Sequence, residues 1–218
     1  MCSNYFIEMR QVEKKYPSIE ISFDFKKLEN HVFPHYQAPV FKNPDELVLM
    51  NYSLIPYWSP VRKPKFATYN ARLETLNVKR SWKEPLLRSR CLIPMDHFYE
   101  SATDGIYKDH IISMKPNTDS ALVAGIWDRW WDREKGEAVE GFAVITRPPN
   151  QQVLEFGHDR MPTFLKPEYY EDWLNPKPIS EREALGLLQH YEDFHFDVSP
   201  FRELKRKEDE GLFGGGND

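Results

Sequence analysis

Seventeen prolines are scattered through the 218 residues, against ten glycines. Each proline lacks a backbone N–H and fixes its φ, so long uninterrupted helices are excluded and turns are frequent. Strands are expected in the short runs between them. Residues 47–50 read as a buried strand, and residues 90–94 and 98–100 as strand pieces on either side of a turn. Residues 106–113, 121–127 and 141–146 are rich in β-branched and aromatic side chains, and antiparallel hairpins are their simplest arrangement. Helices are expected only as short pieces. Met9, Val12 and Tyr16 fall at helical spacing before Pro17, and further segments are expected at 74–82, 150–155 and 167–173. Ser180 and Glu183 form a capping pattern ahead of the apolar face Ala184, Leu187, Leu188 and Tyr191. There is no internal repeat and no βα alternation. The expected class is α+β, with a twisted, largely antiparallel, barrel-like sheet and peripheral helices.

No linker interrupts the chain, so one domain is expected over residues 1–202. Residues 203–218, charged and then glycine-rich, read as a disordered tail. The net charge of -5 gives no global pull toward nucleic acid or anionic membrane, so any such binding must come from a local basic groove. Two cysteines, Cys2 and Cys91, are too few for a disulfide framework or a four-cysteine zinc site, and point to a reducing compartment. No apolar run has membrane-spanning length, and Glu8 and Arg10 break the start where a signal peptide needs an apolar core. A cytoplasmic protein is expected. Pro34 between His31 and His35 rules against a helical metal pair. The chain has no P-loop, G-x-G-x-x-G, G-x-S-x-G, H-E-x-x-H or C-x-x-C, so no metal and no cofactor is indicated.

Four places carry chemistry: Cys2, Asn70 with Arg72, Glu100, and His158 with Arg160. Each has an ordinary explanation. Asn70 suits a turn, Arg72 a surface ion pair, Glu100 a strand end, and His158-Asp159-Arg160 a loop network. Cys2 is distinctive once Met1 is removed. Its α-amine and thiol then sit on adjacent carbons and can act on one electrophilic carbon.

In order along the chain, several stretches combine into one pattern. They are Met1-Cys2, Gln37-Ala38-Pro39, Leu54-Ile55-Pro56-Tyr57-Trp58, Asn70-Ala71-Arg72-Leu73-Glu74-Thr75, Arg90-Cys91-Leu92-Ile93-Pro94 through Phe98-Tyr99-Glu100, and His158-Asp159-Arg160-Met161-Pro162. This pattern resembles the SOS-response-associated peptidase (SRAP) family of abasic-site processing proteins. The resemblance implies a protein that senses abasic sites in single-stranded DNA during the DNA damage response. It would form a covalent thiazolidine crosslink through Cys2, in a lyase-like reaction that shields the lesion. It implies Asn70, Glu100 and His158 as catalytic partners of Cys2, and Arg72 and Arg160 as phosphate contacts. Trp58, Tyr57 and Tyr69 would supply stacking surface. The expected partner is abasic single-stranded DNA, with no metal and no membrane, and the protein is expected to be a monomer, nucleoid-associated when bound. The family name adds a peptidase activity, including removal of its own initiator Met. Some local features depart from the family. Ser3-Asn4 replaces Gly-Arg after Cys2, Tyr52-Ser53 replaces Trp-Gly, His97 replaces Gly, and Ser101 follows Glu100 in place of Trp. Two other readings stay open: an N-terminal-nucleophile cysteine peptidase or amidase using Cys2, and a single-stranded nucleic-acid-binding module without the reaction.

Overall fold

The computed structural model describes residues 4–21, 23–24, 27–118 and 121–204. Among these, thirteen strands and five α-helices are assigned. In chain order they are β1 (Asn4–Phe6), α1 (Met9–Lys15), β2 (Glu20–Ile21), β3 (His31–Val32), β4 (Gln37–Asn43), β5 (Glu46–Tyr52) and β6 (Asn70–Arg72). Then come α2 (Arg80–Arg88), β7 (Arg90–Pro94), β8 (His97–Ser101), β9 (His110–Pro116), β10 (Leu122–Asp132), β11 (Glu137–Arg147) and α3 (Gln151–Glu155). The last are β12 (Met161–Pro162), α4 (Tyr170–Leu174), α5 (Glu181–Leu187) and β13 (Phe196–Glu203).

Five strands close a ring. β5, β4, β7, β10 and β11 are hydrogen-bonded in that order, and β11 pairs back onto β5. An odd number of strands cannot alternate direction all the way round, so one junction must be parallel. That junction is β11 to β5, at Gly141↔Asn51 and Phe142↔Tyr52. Glycine is required there, because a Cβ on Gly141 would lie 2.5 Å from the Ser53 carbonyl oxygen. The long β10–β11 hairpin also carries β6 and β12 along the far end of β11. A second sheet, β13-β9-β8-β1-β3, is antiparallel throughout. The sheets share one core. Tyr5 of β1 meets the ring of Tyr52 edge-on at 5.4 Å, and Tyr52 stacks on Phe142 at 5.2 Å. All three are fully buried. The class is α+β, a largely antiparallel barrel-like sheet with short peripheral helices. No helix among the described residues is long and apolar enough to cross a membrane.

Two expectations change. The helix expected over 74–82 is a 3-10 turn at Leu73–Thr75 followed by α2, which starts at Arg80 and runs across Pro85. Pro85 sits past the first turn and is buried, so the missing N–H is tolerated by packing. The strand expected over 106–113 begins at His110, and pairs with β8 and β13 instead of the next strand along the chain. Residues 37–43, with Pro39 in their midst, form a full strand. Pro39 lies opposite Leu49, on a strand paired at only one register position on its other side, to β7.

Candidate active site and nucleic-acid groove

β8 alternates. Phe98 and Glu100 point to one side and His97, Tyr99 and Ser101 to the other, as the two-residue period of a strand requires. Glu100 thus follows the wholly buried Phe98 into the interior and is itself 5% exposed. Burial pushes its carboxyl up to about 7, and the charge of Asp159 adds to the shift. His158 faces it, with Nδ1 3.6 Å from Glu100 Oε2. The other ring nitrogen, Nε2, is in short contact with the Ser101 carbonyl oxygen. A carbonyl only accepts, so Nε2 carries the hydrogen and Nδ1 presents its lone pair toward Glu100. Burial holds the imidazole below its ordinary range, although the bond to Ser101 opposes this. The couple is therefore a neutral imidazole beside a carboxyl that changes state near neutral pH.

Local structure fixes that ring. Gly157, just before His158, has φ +78°, in the left-handed region, and a Cβ there would collide with the Thr103 side chain. Thr103 donates its hydroxyl to the Gly157 carbonyl at 3.1 Å and its amide to the Phe156 carbonyl at 3.0 Å. The turn carrying His158 is thus clipped to the chain just beyond β8.

Asn70 and Arg72 lie on β6, parallel to β11, with Asn70 opposite Val144 and Arg72 opposite Thr146. Asn70 is buried and Arg72 exposed. Arg160, assigned from sequence to a phosphate, is turned inward here and is 6% exposed. It donates from Nη1 to Glu74 Oε1 at 2.6 Å and from Nη2 to the Thr146 carbonyl and hydroxyl. A phosphate contact by Arg160 would require that network to rearrange.

Beside Asn70 and Arg72 opens a groove of about 520 Å³. Trp58, Phe66 and Tyr69 line it, with Lys79 and Arg80 contributing further positive charge. The Arg80 guanidinium lies over the Trp58 ring, 4.8 Å from its centre. Tyr57 is not on this wall. It is 54% exposed and faces a neighbouring cleft with Trp58, Arg62 and Trp131. Sequence reasoning missed Phe66, Lys79 and Arg80. The adjacent cations Lys79-Arg80, eight residues past Ala71-Arg72, were the available signal for the local basic groove that the net charge demanded. Cys2 lies outside the described residues. Cys91 is fully buried, and burial pushes its thiol pKa up, away from reactivity. Among the described residues no cluster of three or more His, Cys, Asp or Glu side chains is placed to hold a metal ion.

Fold and site define a closed-barrel protein that holds a buried carboxyl–imidazole couple and, lined by Asn70 and Arg72, a cationic, aromatic groove. A family model described as SOS response associated peptidase (SRAP) matches residues 1–204, and the chain belongs to that family. The abasic site processing protein YoqW of Bacillus subtilis is 35% identical over 144 residues, covering 66% of this chain and 63% of that protein. The abasic site processing protein HMCES of Gallus gallus is 31% identical over 191 residues, covering 77% of this chain and 56% of that protein. The chain thus spans less than two thirds of the length of these relatives. A solved structure of a protein from Bacteroides thetaiotaomicron superposes with a TM-score of 0.76 at 28% identity, covering 92% of each chain.

Proposed function

We propose that this protein senses abasic sites in single-stranded DNA and captures them covalently through Cys2, once Met1 has been removed. The observation that carries the reading is the buried Glu100–His158 couple, whose His158 segment is tied through Arg160 to Glu74 and Thr146, next to the Arg72 that lines the groove. β1 supports it further. Asn4, two residues after Cys2 in the sequence, is paired with Tyr99, the neighbour of Glu100. The relatives named as abasic site processing proteins point the same way.

The chemistry balances without a cofactor. A ring-opened abasic sugar presents an aldehyde. The neutral α-amine of Cys2 adds to its carbon, giving a carbinolamine. The carbinolamine hydroxyl takes a proton and leaves as water, giving an imine. The thiol then adds to the imine carbon, its proton passes to nitrogen, and a thiazolidine closes. Both nucleophiles sit on one residue, so closure is intramolecular and strongly favoured. Glu100, balanced between its two states near neutral pH, supplies the proton for water loss and takes one back. His158 Nδ1 accepts a proton from the sugar hydroxyl during ring opening. Asn70 orients the sugar by hydrogen bonds. Arg72, Lys79 and Arg80 neutralise phosphates, while Trp58 and Tyr69 stack on bases.

Intact mass before and after incubation with an abasic oligonucleotide tests this. The expected result is a protein lacking Met1 that gains the oligonucleotide mass minus one water, and a Cys2→Ala variant that yields no stable adduct. An unchanged adduct in Cys2→Ala would falsify the assignment.

A further inference from the structure

We infer that Glu74 is a positioning residue for the chemistry proposed above: it anchors Arg160, and through Arg160 fixes the His158 segment against the strand bearing Asn70 and Arg72. The inference rests on that functional reading for its catalytic consequence, but its geometry stands alone. Glu74 comes two residues after Arg72, in the turn Leu73–Thr75. Arg160 comes two residues after His158. Their bond is 2.6 Å long, and the other arm of the guanidinium reaches Thr146, the register partner of Arg72 on β11. One side chain therefore joins three segments: the turn after β6, the far end of β11, and the loop holding His158. The turn is itself closed by Thr75, whose hydroxyl donates to the Arg72 carbonyl at 3.3 Å.

The pair is asymmetric. Arg160 is 93% buried as a side chain, at 7% exposure, whereas Glu74 is 46% exposed. A buried cation needs a counter-charge more than an exposed carboxylate does. The hydrogen bond from Arg160 first, and then the charges of Arg160 and Arg72, hold the Glu74 carboxyl below its ordinary range, against partial burial. Glu74 thus stays ionised and offsets the charge of Arg160, within reach of the field of Arg72.

Removing its charge should separate two quantities that general loss of structure would lower together. In Glu74→Gln the local field becomes more positive, so intact single-stranded DNA should bind about two- to fivefold tighter. The salt dependence should steepen by about 0.7 in log–log slope for one further phosphate neutralised. The maximal crosslinking rate with saturating abasic DNA should fall about tenfold, because the His158 segment is no longer tied. Glu74→Asp keeps the charge on a shorter arm, and should bind as wild type with an intermediate rate. A third readout needs no DNA. The His158 imidazole titration, followed by NMR, should move to lower pH in Glu74→Gln and stay in place in Glu74→Asp. An unmoved His158 titration, or binding and rate falling in parallel with melting temperature, would overturn the inference. If the wild-type protein forms no adduct, the functional reading fails, while the His158 titration still decides the role of Glu74.

Discussion

At the scale of single residues, protonation of Glu100 links stability to pH. Its carboxyl is raised from 4.5 to about 7 in the folded protein, so between those values the native state binds more protons than the unfolded one. Stability from this group is complete below the unfolded value and lost as pH rises through the folded one, by at most about 3 kcal/mol. His158 is shifted the other way, so its contribution is present above its ordinary value and lost as pH falls through the lowered one. The two partly cancel just below the ordinary imidazole value of 6.5. Glu100→Gln should remove the falling limb, giving denaturation midpoints that no longer decline from pH 5 to 8. It should also slow adduct formation at pH 7 by about a hundredfold. A retained decline would assign the pH dependence elsewhere. Arg90 offers a second test at this scale, away from the site. Its guanidinium reaches the backbone carbonyls of Leu86, Leu87, Trp173, Asn175 and Lys177, at 2.5–3.4 Å. It joins the end of α2 to the end of α4. Arg90→Ala should cost about 3 kcal/mol by leaving carbonyls unpaired, or roughly 6–12 °C in melting temperature for a chain of this size. Three donors on a lysine cannot reproduce five on a planar fork, so Arg90→Lys should recover only part.

Among elements, the turn before His158 shows how local backbone sets the site. Gly157→Ala would place a methyl against Thr103 in a left-handed backbone conformation. It should destabilise by about 1–3 kcal/mol and slow crosslinking more than any stability loss at the assay temperature explains. A rate equal to wild type would mean that His158 does not need this turn. The chain's own pattern made some of this legible and hid the rest, for identifiable reasons. The β10–β11 hairpin could be read because its two runs are rich in β-branched and aromatic residues, and the α5 start because Ser180 accepts from the Glu183 amide as its spacing suggested. β4 was hidden by Pro39, since a proline in a strand is tolerated only where its neighbour does not need the missing N–H. β13 was hidden because most of its residues are exposed, so it carries no apolar period to detect. The short motifs singled out Glu100, His158, Asn70 and Arg72. They could not say that Arg160 bonds to Glu74 and Thr146, because that bond spans 86 residues and depends on how β6 and β12 flank β11.

At the scale of the whole molecule, the two sheets have no separable cores. Phe98 of the second sheet meets Phe196 at 5.3 Å and Phe164 at 6.3 Å, and Tyr5 meets Tyr52 of the ring. Phe164 is bridged to Val123 of β10. Burying these rings twice over, once for each sheet, is not possible, so neither sheet keeps its apolar face covered if the other opens. We propose on this ground that residues up to 204, where the family match ends, form one cooperative unit, to which residues 205–218 add no stability. Unfolding should then be a single transition, with circular dichroism and tryptophan fluorescence coincident and the calorimetric enthalpy equal to the van't Hoff value. A variant ending at Leu204 should melt within about 1 °C of the full chain, below the shift expected for even 1 kcal/mol in a protein of this size. Two resolved transitions would mean that the Glu100 strand and the Asn70 strand belong to independently folding parts. In that case the distance between Glu100 and Asn70 would be set by docking of the two parts.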